Sequence, residues 1–229
     1  MKAGEFTGRA QAYTEARPGY PDDAMEYIFS LAPPDAVFAD IGAGTGKFTA
    51  LLARYGYEIF AVEPNADMRE QLTVNLAPFT KIKIINGAAE ATTLPDHCVD
   101  VITSAQSLNW FDIDVFHSEC LRIGKSDVLV IVLYNYNPAE DHGSPSRYDK
   151  STGALYINPD VREFSNPILY TKDKWFSYLS SMAGVPQPSD NGYEAYFNEM
   201  NDKFDRESID EILRLDLVTR VYSERIVRL

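Results

Sequence analysis

Three glycines at alternate positions, Gly42, Gly44 and Gly46, constrain this chain more than any other feature. They follow an apolar run that carries an acid near its end, Val37-Phe38-Ala39-Asp40-Ile41, and lead straight into Lys47-Phe48 and a helix-like stretch to Tyr55. A buried strand that breaks into glycines and then a helix presents bare backbone to a ligand. Alternate glycines permit positive φ and remove the Cβ atoms that would hold a ligand off. The helix N-terminus adds N–H groups without intrahelical partners, which favour an acceptor or an anion.

The spacing separates the ligand classes. A phosphate-binding P-loop needs Gly-x-x-x-x-Gly-Lys and then Ser or Thr. Here Ile41 stands at the first glycine and Phe48 at the hydroxyl position, so that reading fails. The dinucleotide fingerprint Gly-x-Gly-x-x-Gly, started at Gly42, puts its last glycine on Lys47. A second apolar run, Glu58 to Val62, ends at Glu63-Pro64. A carboxylate at such a strand tip can accept hydrogen bonds from two vicinal ribose hydroxyls. Dinucleotide folds also place an acid there, so Glu63 speaks for a ribose and the glycine spacing for the kind of cofactor.

The pattern Asp-x-Gly-x-Gly-x-Gly over Asp40–Gly46 resembles the first motif of the class I S-adenosylmethionine-dependent methyltransferases. Asn86-Gly87-Ala88-Ala89-Glu90, Leu94-Pro95-Asp96 and Gln106-Ser107-Leu108-Asn109-Trp110-Phe111-Asp112 are similar to stretches of the type 11 small-molecule methyltransferases. Ala88 and Asn109 depart from the Thr and His of that pattern. Tyr13, Ala16-Arg17-Pro18-Gly19-Tyr20-Pro21 matches the family's N-terminal segment, which folds over the cofactor. The resemblance covers roughly residues 6–135. It implies cofactor contacts from Tyr13 and Arg17, from Asp40, Gly42, Ala43, Gly44 and Gly46, and from Glu63, Pro64 and Met68. It adds Ala89, Glu90, Ala105, Gln106 and Trp110. Arg17 would meet the methionine carboxylate with its planar fork. Related enzymes often carry an Asp near Ala88 that bonds the adenine amino group. This chain has none, so backbone around Ala89 and Glu90 would hold adenine.

Composition bounds the partners. The 229 residues carry 21 Lys plus Arg against 34 Asp plus Glu, a net charge of −13. Nucleic-acid affinity rests on neutralising phosphates with basic side chains, so a DNA or RNA acceptor is not expected. No apolar stretch approaches the ~20 residues of a membrane span. The first residues lack the apolar region of a secretion signal, and Cys98 and Cys120 show no paired-ligand spacing. These features lead to the expectation of a cytoplasmic, reduced protein. His97, His117 and His142 are scattered, so no metal is expected. A monomer or a homodimer fits equally.

Strands and helices alternate, which implies a single doubly wound α/β domain with a mostly parallel, seven-stranded, Rossmann-like sheet. Strands are expected at 36–41, 58–63, 81–86, 99–104 and 127–134. Helices are expected at 22–31, 46–55, 66–76 and 112–123, the last ending at Gly124. Residues 135–205 read as a lid or insertion after strand five, beginning with an aperiodic 135–160 and holding helices at 173–182 and 193–204. Residues 209–215 and 217–227 alternate apolar and polar and read as strands six and seven. By the same resemblance, residues 1–21 are expected to cover the cofactor.

The function expected is methyl transfer from S-adenosylmethionine to a small-molecule acceptor. A non-catalytic S-adenosylmethionine-binding module and an NAD(P)-dependent oxidoreductase stand as alternatives. Methyl transfer relies on orientation, so a base is needed only if the acceptor must lose a proton. Tyr134, Tyr136, His142 and Tyr148 fall where an acceptor would sit, and none is assigned a catalytic role. Carboxylic acids, phenols, amines and quinone-like rings all remain open as acceptors.

Overall fold

The computed structural model describes residues 17–140, 147–182 and 184–227. Seven strands form one sheet in the order β3-β2-β1-β4-β5-β7-β6. They are β1 (Val37–Ile41), β2 (Glu58–Val62), β3 (Ile82–Ile85), β4 (Val99–Ala105), β5 (Gly124–Tyr136), β6 (Asp160–Tyr170) and β7 (Leu213–Val227). Strands β1 to β5 pair in parallel, and β7 lies antiparallel to both β5 and β6. The described helices are α1 (Asp22–Leu31), α2 (Lys47–Arg54), α3 (Ala66–Leu76), α4 (Ile113–Ile123), α5 (Arg147–Leu155), α6 (Lys172–Ser180) and α7 (Tyr193–Glu207).

Strand β5 shows why this sheet is covered twice. Val128, Val130, Val132 and Tyr134 enter one core with Phe116 and Ile123 of α4. Leu129, Ile131 and Leu133 enter the other, with Met25 and Ile28 of α1 and Phe48 and Leu52 of α2. A strand with two buried faces is a continuous apolar run, which is how the sequence reads there. Strand β1 has β2 on one side and β4 on the other. The chain order reverses at that point, and the crevice above it is where open α/β sheets bind ligands.

The second half departs from the expected layout. The two strands expected at 209–215 and 217–227 are one strand, β7. Leu213, Leu215, Leu217, Thr219 and Val221 are buried at every second position, so no break occurs at Asp216. Ile209 to Ile212 instead make a tight turn, with positive φ at Asp210 and Glu211. Strand six is Asp160–Tyr170, where no strand was expected. It is a sheet edge and largely exposed, so its sequence carries no alternation, and an edge tolerates Pro167. The aperiodic 135–160 includes α5, and Leu155 and Tyr156 at its end lie in the main core. Strand β5 begins at Gly124 itself, which is extended rather than left-handed. A Cβ there would come within 2.5 Å of Val128 Cγ1, so close approach, not helix termination, requires glycine.

Candidate functional site

The glycine loop leaves β1 with Gly42, Gly44 and Gly46 at φ of 71°, 58° and 85°. The N–H groups of Gly42 and Ala43 donate to the carbonyl of Val62 at the tip of β2. The three glycines answer different demands. A Cβ on Gly42 would lie 2.8 Å from Ser107, and one on Gly46 would lie 2.6 Å from Leu72. A Cβ on Gly44 would meet no protein atom within 4 Å. Gly42 and Gly46 are therefore glycines for packing, and Gly44 keeps backbone bare toward the crevice.

Glu63 sits beside Gly44 and is buried. Its Oε2 accepts from the Gly44 N–H and its Oε1 from the Asn65 N–H, each at 2.9 Å. A carboxylate has about four acceptor positions, so two backbone donors leave capacity for further hydroxyls. Burial raises its pKa, opposed by those two hydrogen bonds and by Arg69. The turn after β2 is held by Arg69, which donates to the carbonyls of Glu63 and Pro64. Asn65 caps α3 by accepting from the Met68 N–H at 3.0 Å, and the Met68 side chain is buried.

Asp40 is not at the surface of the crevice. Its carboxylate accepts from Thr49 of α2 at 2.6 Å and from Thr103 of β4 at 3.0 Å, and it is 1 % exposed. Burial lifts its pKa to about 6, against the two threonine bonds and with the charge of Glu63 adding to the rise. Asp40 thus ties β1, β4 and the helix after the glycine loop into one unit.

The opposite wall comes from the loops after β3 and β4. Ala88 and Ala91 exchange backbone hydrogen bonds, which turns the chain so that Ala89 is buried. Glu90 accepts from the Asp112 N–H at 2.9 Å and so joins the two loops. Ala105 ends β4, and Gln106 follows in the left-handed region at φ 61°. Its N–H donates to Leu133, and its amide reaches the Asn135 carbonyl at 3.4 Å. Ser107 donates to the Ile41 carbonyl beneath Gly42. Trp110 closes a single 3₁₀ turn, Leu108–Trp110, and is half-buried.

Residues 17–19 are anchored by side chains from distant strands and from the start of α2. Gly19 O accepts from Asn135 of β5 at 2.9 Å and from Asn166 of β6 at 3.0 Å. Thr219 of β7 donates to Asn135 Oδ1, completing a cluster across three strands in which Asn166 and Thr219 are buried and Asn135 is half-buried. Lys47, the first residue of α2, donates its ammonium to the Arg17 carbonyl. The Arg17 guanidinium donates to the Ser181 carbonyl at 3.1 Å and lies 5.9 Å from the centre of the Tyr178 ring. Arg17 therefore faces the end of α6. Tyr13 and His142 lie outside the described residues. Among the described residues no group of three or more His, Cys, Asp or Glu could hold a metal, and no helix is long and apolar enough to cross a membrane.

Glu119 of α4 is a further supporting residue. It is buried and accepts from the Thr92 N–H, the Thr92 hydroxyl and the Arg122 guanidinium at 2.6–2.8 Å. It fixes the loop that carries Ala89 and Glu90. Sequence reading missed it because Thr92 and Glu119 are far apart in the chain.

Residues 39–132 match the family described as a methyltransferase domain. An uncharacterized methyltransferase of Mycobacterium tuberculosis is 35% identical over 107 residues, which cover 47% of this chain and 42% of that protein. A malonyl-[acyl-carrier protein] O-methyltransferase of Methylococcus capsulatus is 35% identical over 99 residues, 42% of this chain and 36% of that one. The chain spans less than half the length of these curated relatives. Among solved structures, a protein from Anaeromyxobacter dehalogenans assigned by name as a type II methyltransferase superposes over 93% of this chain and 99% of its own at a TM-score of 0.67 and 20% identity. Geranyl diphosphate C-methyltransferase from Streptomyces coelicolor, solved with S-adenosyl-L-homocysteine, covers 90% of this chain and 77% of its own at a TM-score of 0.52 and 13% identity. These two likenesses concern the fold.

Proposed function

We propose that this chain, built on a class I S-adenosylmethionine-dependent methyltransferase domain, transfers a methyl group from that donor to a small-molecule acceptor. The observation that carries this reading is the pairing of Gly44 with Glu63. Bare backbone lies at one position, and beside it a buried carboxylate keeps acceptor capacity. Those groups suit an adenosyl ribose. When bound, S-adenosylmethionine supplies an electrophilic methyl on a cationic sulfonium. Everything else is the work of the chain.

Glu63 and the Gly44 backbone hold the ribose, and the Ala89–Glu90 turn receives the adenine. Asp40 keeps β1, β4 and α2 in register beneath them. Residues 17–21 cross the carboxyl end of the sheet under the hold of Asn135, Asn166 and Lys47, and exclude water from the donor. Gln106, at the tip of β4, lies on the side where the acceptor would enter. Orientation of this kind contributes on the order of 7–11 kcal/mol to such a reaction. The acidic balance of the chain, −13, supports a small acceptor over a nucleic acid.

Titration calorimetry with S-adenosylhomocysteine tests the donor site, and release of S-adenosylhomocysteine across an acceptor panel tests transfer. Tight binding with no product from any acceptor would support a binding module instead. Binding of NADH in place of S-adenosylhomocysteine would overturn the reading.

A further inference from the structure

We propose that Asn166 of β6 is a positioning residue for the donor: through Gly19 it holds residues 17–20 at the border of the donor site and so slows the donor's release. The inference rests on the methyltransferase reading above. It starts from the register at the sheet edge. Asn135 of β5 stands opposite Thr219 of β7, and the pairing of β5 with β7 ends one position later, at Tyr136 and Val218. Asn166 stands opposite Leu217, the next residue of β7. Residues two apart on a strand share a face. Asn166 therefore lies on the face of Thr219 and Asn135, just where β5 stops.

These three polar side chains converge on one outside atom. The Asn166 amide lies 3.0 Å from the Gly19 carbonyl oxygen and 3.2 Å from both Asn135 Oδ1 and Thr219 Oγ1. The Thr219 hydroxyl donates to Asn135 Oδ1, which turns the Asn135 amide toward Gly19 O at 2.9 Å. Asn166 and Thr219 are buried. Buried polar groups need partners, and apolar side chains of like shape would join the strands as well without them. The acceptor that both amides share is backbone from outside the sheet. The cluster is thus built to hold Gly19.

The same short segment is fixed on its other side by the helix that follows the glycine loop. Lys47 donates to the Arg17 carbonyl, and the Tyr20 ring meets Phe48 edge-on at 5.2 Å. Residues 17–20 are clasped between the start of α2 and the tips of β5 and β6. In the sheet β4 lies between β5 and β1, the strand that leads into the glycine loop. Two strand steps are about 10 Å, a span that four residues can bridge. The clasped segment therefore borders the crevice assigned to the donor. Release of the donor needs this segment to give way, and each amide bond to Gly19 O adds to that barrier.

The test is the dissociation rate of S-adenosylhomocysteine from the full chain, read by chasing radiolabelled ligand with unlabelled ligand. Asn166→Leu has a similar shape and no donor. It should release the ligand about fivefold faster, the worth of one neutral hydrogen bond, with urea stability unchanged or higher. Asn135→Ala, at a half-buried position, removes the other amide and should act in the same way. Ile226→Val trims a buried side chain opposite Val128, at the other end of the β5–β7 pairing. It should lower stability and leave the release rate unchanged. In the free protein, the amide order parameter of Gly19 should stand near the ~0.85 of rigid backbone and fall in Asn166→Leu. If both asparagine variants release the ligand as slowly as wild type, or Ile226→Val speeds release as much as they do, the positioning role is refuted. An unchanged order parameter in Asn166→Leu would show that Asn166 does not act through Gly19, and the inference falls. Failure of the wild-type chain to bind S-adenosylhomocysteine would overturn the methyltransferase reading itself, and the order parameter would still report the clamp, so the two failures are told apart.

Discussion

The Gly44 N–H donates to Glu63 Oε2 at 2.9 Å, so the glycine loop after β1 and the acid at the tip of β2 are one hydrogen-bonded unit. Glu63 therefore shapes the loop. In Glu63→Gln, one of the two backbone N–H groups, of Gly44 or of Asn65, faces an amide nitrogen and loses its acceptor. A buried donor left in that state costs about 1–3 kcal/mol. S-adenosylhomocysteine should bind at least tenfold more weakly in calorimetry. Equal affinity in the variant would remove Glu63 from the site.

Gly44→Ala and Gly46→Ala should fail in different ways. Both positions have positive φ, which costs an alanine about 1–2 kcal/mol. At Gly46 the new methyl also meets Leu72 at 2.6 Å and Leu76 at 3.2 Å. Overpacking adds about 1–3 kcal/mol. Gly46→Ala should therefore lose more stability in urea unfolding. Gly44→Ala should lose less stability but most of its affinity for S-adenosylhomocysteine. The reverse order would mean that Gly44 does not border the ligand.

Asp40 makes stability depend on pH with a defined sign. Its pKa is near 3.8 when unfolded and about 6 when folded, raised chiefly by burial. Between those values the native state holds more protons than the unfolded state. Stability from this group is thus complete below the unfolded value and is lost as pH rises through the folded one. The loss is roughly 3 kcal/mol for a shift of this size. Glu63 shifts in the same direction. Thermal midpoints measured across this window should fall with rising pH more steeply in wild type than in Asp40→Asn. Parallel curves for the two proteins would contradict the assignment.

Glu119 has the opposite sign. Burial raises its pKa, but the bonds from Arg122 and Thr92 outweigh burial and leave it lowered. Its contribution is present above the unfolded carboxylate pKa and is lost as pH falls through the folded one. Glu119→Ala strips Thr92 of its acceptor and should cost about 2–3 kcal/mol in chemical denaturation. Glu119→Gln should fall between the two proteins. A loss below that of ordinary surface substitutions would show that the Thr92 loop is held by other contacts.

Part of the candidate site's geometry was legible because it is local. The glycine spacing, the acid of β1 and the acid after β2 are each set within a few residues, and the structure brings Gly44 and Glu63 together. Asp40 was legible as part of the motif, but its burial between Thr49 and Thr103 was not, because Thr103 comes from β4. Arg17 was read as meeting the methionine carboxylate, and the bond of its guanidinium to Ser181, 164 positions along the chain, was not legible. The Asn135, Asn166 and Thr219 cluster has no sequence signature, since amides and hydroxyls of this kind are common in loops. Only their placement on neighbouring strands makes them a clamp on Gly19. Strand β6 escaped notice because an exposed edge imposes no alternation on its side chains.

Periodicity and spacing by themselves determined the parallel half of the sheet, its double covering and the bare backbone above β1. Those features follow from how consecutive residues bury or expose themselves, and the chain carries that record in order. The tertiary structure alone decided which side chains meet beside the glycine loop, how β6 and β7 pair and which carboxylates are buried. These depend on contacts between distant segments, whose energies are set by mutual burial and leave no mark on either segment alone.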